Sequence, residues 1–308
     1  MRSIQTTSSL FMVAPTTFGF DEQTAATNTF QHELDRGPKQ ITQTAIQEFE
    51  AYVATLRAHD IAVIDFHDSD DQPKPNAVFP NNWFTTWPDG TVYCYPMATP
   101  SRRVERSAAA LDLLGAQFDI RQVVDMSTAE ADATFLEGTG VMVFDHPART
   151  VYACVSPRCN EALFTKHAET LGYKAVAFHA SDPSGTAIYH TNVMLGVQSH
   201  TAVLYSEGIS DKAERNAVLD SLAASGHDII DISFEQLTAF CGNILNVSNA
   251  HSEPFIVLSQ TAFDAFTAEQ RARLTQSGTL LPVSIPTIET IGGGSARCMI
   301  AEIFLPSK

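Results

Sequence analysis

Hydrophobic and polar positions along this chain fall into two textures that take turns. Short apolar runs broken by a polar turn appear four times: NWFTTWPDGTVYCYPM from Asn82, GVMVFDHPARTVYACVS from Gly140, NVMLGVQSHTAVLYS from Asn192 and NILNVSNAHSEPFIVLS from Asn243. Each opens on Asn or Gly, runs apolar, turns through a stretch such as WPDG or DHPA, and ends in a β-branched or aromatic run. That pattern predicts a β-hairpin. The starts fall 58, 52 and 51 residues apart, a period that points to repeated supersecondary units. Between the hairpins the apolar spacing changes to three and four residues. ITQTAIQEFEAYVATLRAHD (41–60), RRVERSAAALDLLGA, RCNEALFTKHAETLG, DKAERNAVLDSLAASG and TAFDAFTAEQRARLTQSG (261–278) all predict helices. After each comes one more short strand candidate: IAVIDF, FDIRQVV, YKAVAF, DIIDI and TLLPVSI.

The predicted unit is hairpin, helix, strand, repeated about five times. The fifth is split, with LFMVAPTTF near one end of the chain and ARCMIAEIF near the other. A circular array of five units has exposed edges unless its last strand pairs with its first module. The C-terminal run, about 298–304, is placed to do so. The expected fold class is α/β, in a single domain over 1–308, because no composition shift or Pro/Ser-rich linker marks a boundary. An α/β sandwich with unrelated hairpins is the alternative.

Composition narrows the partners. A chain of 308 residues, 44% hydrophobic and 18% charged, has the make-up of a folded protein with a sizeable core. Its net charge of −16 leaves no basic stripe for nucleic acid. The five cysteines, Cys94, Cys154, Cys159, Cys241 and Cys298, are scattered without a C-x-x-C pair, so no zinc site is expected. No run reaches 18 apolar residues, and MRSIQTTSSLFMVAP has too short an apolar stretch for a signal peptide. The expectation is free thiols in a reducing cytoplasm, with neither nucleic acid nor membrane as partner.

In a circular array the leading residues of the hairpins converge. Those positions offer PNNWF (Asn81, Asn82), FLEGTG (Glu137), YHTN (His190, Asn192), CGN (Asn243) and SARC (Cys298). A thiol, an imidazole, a carboxylate and carboxamides round one hollow suit nucleophilic catalysis at an electron-poor carbon. Cys298 would be the nucleophile, in an environment that activates its thiol. His190 would hand a proton to a departing amine and then activate water, while Glu137 would hold a planar N–H-bearing group. The glycines of IGGGSARC would let backbone fold tightly over a substrate. Each residue alone also has a plain structural reading, as a buried thiol, a surface histidine, a turn carboxylate or an Asx turn. Their shared phase in the repeat is what sets them apart. Arg297 and Arg158 are candidates to grip a substrate carboxylate, and FGFDEQTAATNTF (18–30) is a candidate flap.

With these motifs the chain resembles the guanidino-group-modifying enzymes: arginine deiminases, dimethylarginine dimethylaminohydrolases, agmatine deiminases and amidinotransferases. GGGSARCM looks like the cysteine loop of bacterial arginine deiminases, FLEGTG like their glutamate motif and YHTNVML like their histidine motif. The resemblance implies a five-bladed α/β-propeller, the pentein fold, built of ββαβ modules with pseudo-fivefold symmetry. It implies attack by Cys298 on a guanidino or ureido carbon to give a covalent intermediate, with His190 and Glu137 in the roles above. No metal or organic cofactor is implied, the partner is a small guanidino or ureido amino acid, and a homodimer is left open.

Two departures bear on the substrate. Arginine deiminases carry an aspartate two positions after the histidine, where this chain has Asn192, and another from the second blade, where it has Asn82 or, in an alternative alignment, Asn81. Asparagine is uncharged and offers both a donor and an acceptor. That lining suits a neutral ureido group and ranks citrulline beside arginine and its methylated forms. Hydrolysis is the first reading and amidino transfer to an amine the second. A non-catalytic, ribosome-binding propeller is the alternative of another class, along with an inactive scaffold; neither requires a thiol, imidazole and carboxylate at the converging positions.

Overall fold

The computed structural model describes residues 5–68 and 72–308. Five three-stranded sheets and intervening helices make up a mixed α/β fold. β1 (Ser9–Val13) runs parallel to β2 (Ala62–Phe66) across the helix Pro38–Ala58. In the next sheet β3 (Phe84–Thr86) and β4 (Thr91–Cys94) form a hairpin, and β5 (Gln122–Asp125) lies parallel to β4. The same plan gives β6 (Val143–Asp145), β7 (Thr150–Cys154) and β8 (Lys174–Phe178), then β9 (Leu195–Val197), β10 (Thr201–Leu204) and β11 (Asp228–Asp231). A further set is β12 (Leu245–Ser248), β13 (Pro254–Ser259) and β14 (Thr279–Val283). β15 (Ala301–Glu302) returns to pair antiparallel with β1, Leu10 opposite Glu302, and so supplies the hairpin partner that β1 lacks in sequence.

Local chemistry explains the connecting helices. Pro38–Ala58 starts with proline in its first turn and buries Ile41, Ala45, Phe49, Tyr52, Val53 and Leu56, a stripe at three- and four-residue spacing. Glu161–Leu171 is capped by the Asn160 side chain on the Leu163 amide and stopped by Gly172 at φ +70°. Two expected helices are each broken in two: 102–116 yields Pro100–Arg103 and Ala108–Gln117, and 261–278 yields Gln260–Ala265 and Ala268–Leu274. Side-chain caps from Ser107 and Thr267 restart the second halves.

Neighbouring sheets meet along their first strands: β15 lies against β3, β6 against β9 and β9 against β12, while the helical turn Gly138–Val141 bridges β3 and β6. The segments just before these strands are thereby drawn together. The run after the cysteine is less strand-like than its apolar pattern suggests. Cys298 lies in a turn, and β15 has two residues. Nor are the three glycines one loop: Gly292 ends a helix, Pro286–Gly292, and Gly293 caps it at φ +62°.

Candidate active site

Five turns, each leading into a first strand, carry the polar residues expected to converge. Asn82 closes a single 3₁₀ turn ahead of β3, and Glu137 is the cap of the turn ahead of β6. His190 and Asn192 belong to the turn ahead of β9, Asn243 precedes β12 and Cys298 precedes β15. All are buried, none more than 3% exposed. Such crowding needs bare backbone. A Cβ on Gly140 would stand 2.3 Å from Asn82 Nδ2 and 2.9 Å from His190 Nδ1, so no residue with a side chain fits the FLEGTG turn there unchanged.

The thiol is held by amides. Asn243 Nδ2 donates to Cys298 Sγ at 3.1 Å and Asn192 Nδ2 at 3.5 Å. The orientation of Asn243 follows from its other bonds: Nδ2 also donates to the Asn192 carbonyl at 2.9 Å, and Oδ1 accepts from the Cys298 backbone N–H at 3.3 Å. Burial pushes the thiol's pKa up; the two amide donors, the Ser295 backbone and Arg297 pull it back only partly. At rest the group is therefore a thiol with thiolate-stabilising donors already aimed at it.

Behind the imidazole stands a buried charge network. His190 Nε2 donates to Glu137 Oε2 at 2.8 Å, which leaves Nδ1 as the lone pair of a neutral ring. Glu137 Oε2 also receives Arg158 Nη1 at 3.3 Å, and Oε1 receives the Ala98 backbone N–H at 2.9 Å. Burial opposes the carboxylate's charge, but Arg158 and the His190 bond prevail and hold Glu137 well below the usual range. For His190, burial outweighs Glu137 and lowers its pKa to about 4. The free site thus holds neutral imidazole, ionised glutamate and protonated thiol.

Cys298 and His190 share a small hollow of about 10 Å³, about the room of one water, walled by Asn76, Asn82, Arg102 and Arg158. Among its described lining residues there is no carboxylate. Arg102 is spent largely on Glu105, with bonds of 2.9 and 2.7 Å, and also reaches Asn82 Oδ1 at 2.5 Å. Thr24 and Asn28 roof the hollow, so the segment expected to be a flap lies over the site. It is tied down by Arg158 Nη2 to the Thr24 carbonyl (3.0 Å), by Gln31 Nε2 to the Ile291 carbonyl (3.0 Å) and by Asn28 Nδ2 to the Gly293 carbonyl (3.2 Å). A larger cleft, about 430 Å³, lies beside Tyr189 and holds neither Cys298 nor His190. Chemistry, not size, picks out the smaller one.

The expected site residues are not all equivalent. Cys298, His190 and Asn82 line the hollow; Asn192 and Asn243 touch the thiol, and Glu137 touches the imidazole from behind. Five residues expected to contact substrate are not among the described lining residues: Asn192, Asn243 and Glu137, which touch the thiol or the imidazole instead, and Arg297 and Asn81. Arg297 is turned away, bonded to the Ile300 carbonyl and to Glu302 Oε2 at 2.9 Å, because the backbone turn that presents Cys298 inward sends its neighbour outward. Asn81 is fully buried but does not line the hollow; its carbonyl accepts from Thr139 Oγ1 at 3.3 Å. Sequence reasoning missed Arg102, Asn76 and Asn28. Asn76 stands in the same PNAVFPNN stretch as Asn82 and was open to notice. Among the described residues no helix is long and apolar enough to cross a membrane, and no cluster of ligands could hold a metal ion.

Solved structures with similar folds bring names to this geometry. ArgZ, an arginine dihydrolase from the ornithine–ammonia cycle in cyanobacteria, matches with a TM-score of 0.74 at 14% identity, over 95% of this chain and 40% of that one. Its N-terminal domain, bound to substrate, matches at 0.74 and 14% identity over 96% of this chain and 99% of the domain. A dimethylarginine dimethylaminohydrolase adduct with S-methyl-L-thiocitrulline matches at 0.63 and 13% identity, over 95% of this chain and 98% of that one. This chain therefore spans about two fifths of full-length ArgZ. At such identities the likeness is one of fold. No curated protein matches it in sequence. A family model described as N,N dimethylarginine dimethylhydrolase, eukaryotic, matches residues 14–305, and the chain belongs to that family, among the pentein-fold enzymes that modify guanidino groups.

Proposed function

We propose that this protein is a cysteine hydrolase cleaving a C–N bond of a ureido or guanidino amino acid, with the ureido compound, citrulline, as the better substrate. In this reading the five sheets are the blades of one propeller domain, and Cys298, His190 and Glu137 are its catalytic residues. One observation carries the choice of substrate. A thiol and a neutral imidazole share a hollow walled by carboxamides and two arginines, with no carboxylate among its described lining residues. A guanidinium entering there meets no counter-charge, because Arg102 and Arg158 are the only charged side chains among the described lining residues, whereas a neutral ureido group needs none.

The steps follow from the groups present. The Cys298 sulfur bonds to the ureido carbon as its proton passes to His190, whose lone pair is free because Glu137 holds the other ring nitrogen. Asn243 and Asn192 stabilise the developing thiolate. The bond from that carbon to the alkyl-bearing nitrogen breaks, and the nitrogen takes the proton from His190, so ornithine leaves. Water, deprotonated by His190, attacks the remaining S-carbamoyl group; the thiol is restored and carbamate departs, decomposing to carbon dioxide and ammonia.

Acid-quenched mass spectrometry after incubation with L-citrulline, L-arginine, a methylated arginine or agmatine tests the reading. A covalent adduct mapped to Cys298, with ornithine released from citrulline, is expected; Cys298→Ser removes both while the protein stays folded. Faster turnover of L-arginine refutes the choice of substrate, and transfer to an added amine in place of water would mark an amidinotransferase. Retained turnover in Cys298→Ser removes the nucleophile.

A further inference from the structure

We infer that Arg102 and Asp21 act as positioning residues that fix which end of two pocket carboxamides faces the substrate, and that this orientation tells a ureido group from a guanidino group. The inference rests on the hydrolytic reading above and adds what sets its selectivity.

A carboxamide has a donor end and an acceptor end of nearly the same shape, so its bonds decide which way it points. Asn82 Oδ1 lies 2.5 Å from Arg102 Nη1. A guanidinium only donates, so the oxygen must face it and Nδ2 is the end left over. That nitrogen is buried and has no partner. Arg102 is itself fixed, by Glu105 through Nε at 2.9 Å and Nη2 at 2.7 Å, and by the Phe79 carbonyl at 3.1 Å.

Asn76 is locked the opposite way. Its Nδ2 donates to Asp21 Oδ2 at 3.0 Å and to Thr24 Oγ1 at 3.0 Å. The carboxylate only accepts, and the Thr24 hydroxyl already donates to Gln31 Oε1 at 2.7 Å, so both neighbours demand the nitrogen. Asn76 Oδ1 is then the buried end without a partner. Both residues line the hollow with Cys298.

The pocket therefore holds one unspent donor and one unspent acceptor. A ureido group has a carbonyl oxygen for the first and N–H groups for the second. A guanidinium carries N–H on every edge; it satisfies Asn76 Oδ1 but sets hydrogen against hydrogen at Asn82. Leaving a buried polar group unpaired in this way is how a polar site rejects a near-isostere. Asp21 belongs to the covering segment, so the acceptor at Asn76 is set only while that segment is down.

The test is the ratio of kcat/KM for L-citrulline to that for L-arginine in wild type, Asn82→Asp and Asp21→Asn. General structural damage lowers both terms and leaves the ratio alone. Asn82→Asp keeps an oxygen on Arg102 and turns the unspent donor into a charged acceptor, so the ratio should fall by at least about 10-fold. Asp21→Asn frees Asn76 to turn over and should lower it about 3–10-fold. Where a variant does not turn over, the ratio of Kd values by calorimetry in a Cys298→Ala background supplies the readout. A wild type that prefers arginine overturns the substrate reading itself. Wild-type preference for citrulline with ratios unchanged in both variants overturns only the positioning roles.

Discussion

Asn243 offers the most direct probe of how the sulfur is held. Its Nδ2 stands 3.1 Å from Cys298 Sγ, and its orientation is fixed by the Asn192 carbonyl and the Cys298 amide. Truncation to alanine removes one charge-assisted bond to the thiolate, about 1.5–3 kcal/mol. That equals a rise of about one to two units in the thiol's pKa and a loss of about 10–100-fold in kcat/KM. Asn243→Asp keeps the shape but sets a carboxylate oxygen where the donor was. At 3.1 Å and an effective dielectric of about 20, two like charges cost about 5 kcal/mol more, or nearly four further pKa units. The aspartate variant should thus be far worse than alanine, although it is closer in size. The assay is alkylation by iodoacetamide against pH, with the Cys298 peptide followed by mass spectrometry so that the four other buried cysteines do not intrude. An unchanged Cys298 profile in Asn243→Asp, with activity within twofold of wild type, would refute the claim that this amide governs the thiol.

Three further substitutions test other parts of the site and its support. Gly293→Ala would force a side chain into a left-handed backbone position, φ +62°, with its Cβ 2.6 Å from Asn28 Nδ2; lifting the covering segment should raise KM about 10-fold while changing kcat less, a cost of about 1–2 kcal/mol. Glu137→Gln leaves the Arg158 charge buried without its counter-ion, and urea unfolding should show about 3–5 kcal/mol of lost stability. His167, buried against Tyr95, has its pKa lowered from 6.5 to about 4 by burial. The unfolded chain then binds the extra proton first, so this group should cost about 3 kcal/mol of stability as pH drops from about 6.5 towards 4, with His146 and His190 adding slopes of the same sign, and His167→Phe should remove its share in equilibrium unfolding.

Much of the architecture could be read from spacing, because strands and helices repeat their apolar positions at two and 3.6 residues whatever their surroundings. The four hairpins and the helix–strand pairs between them lie where their periods put them. What failed was short or tertiary in origin. Pro286–Gly292 spans two turns beside a glycine run and reads as loop, since its burial comes from packing rather than from a repeat of its own. Within the site, Cys298, His190 and Glu137 stood out through their shared phase in the repeat, and Cys298 and Glu137 also through the glycines beside them. Arg297 misled because adjacency in sequence is not adjacency in space, and Glu302 claims its charge. Arg102 escaped because nothing local distinguishes it, its importance lying in a bond to Asn82 made only after folding, whereas Asn76 stood near Asn82 in sequence but its bond to Asp21 is likewise made only on folding.

The pairing of β1 with β15 also has a temporal meaning. Thr7 Oγ1 donates to the Ile303 carbonyl across 296 positions of sequence. While the polypeptide emerges from the ribosome, β1 can find β2 early, but its other edge stays bare until nearly three hundred more residues have been made, and bare edges invite aggregation. Cys298 arrives just ahead of β15, so the thiol proposed as nucleophile and the strand that anchors its turn come into being together. A ribosome-bound nascent chain stalled before residue 301 should therefore be catalytically silent, with activity appearing only once that final strand has docked.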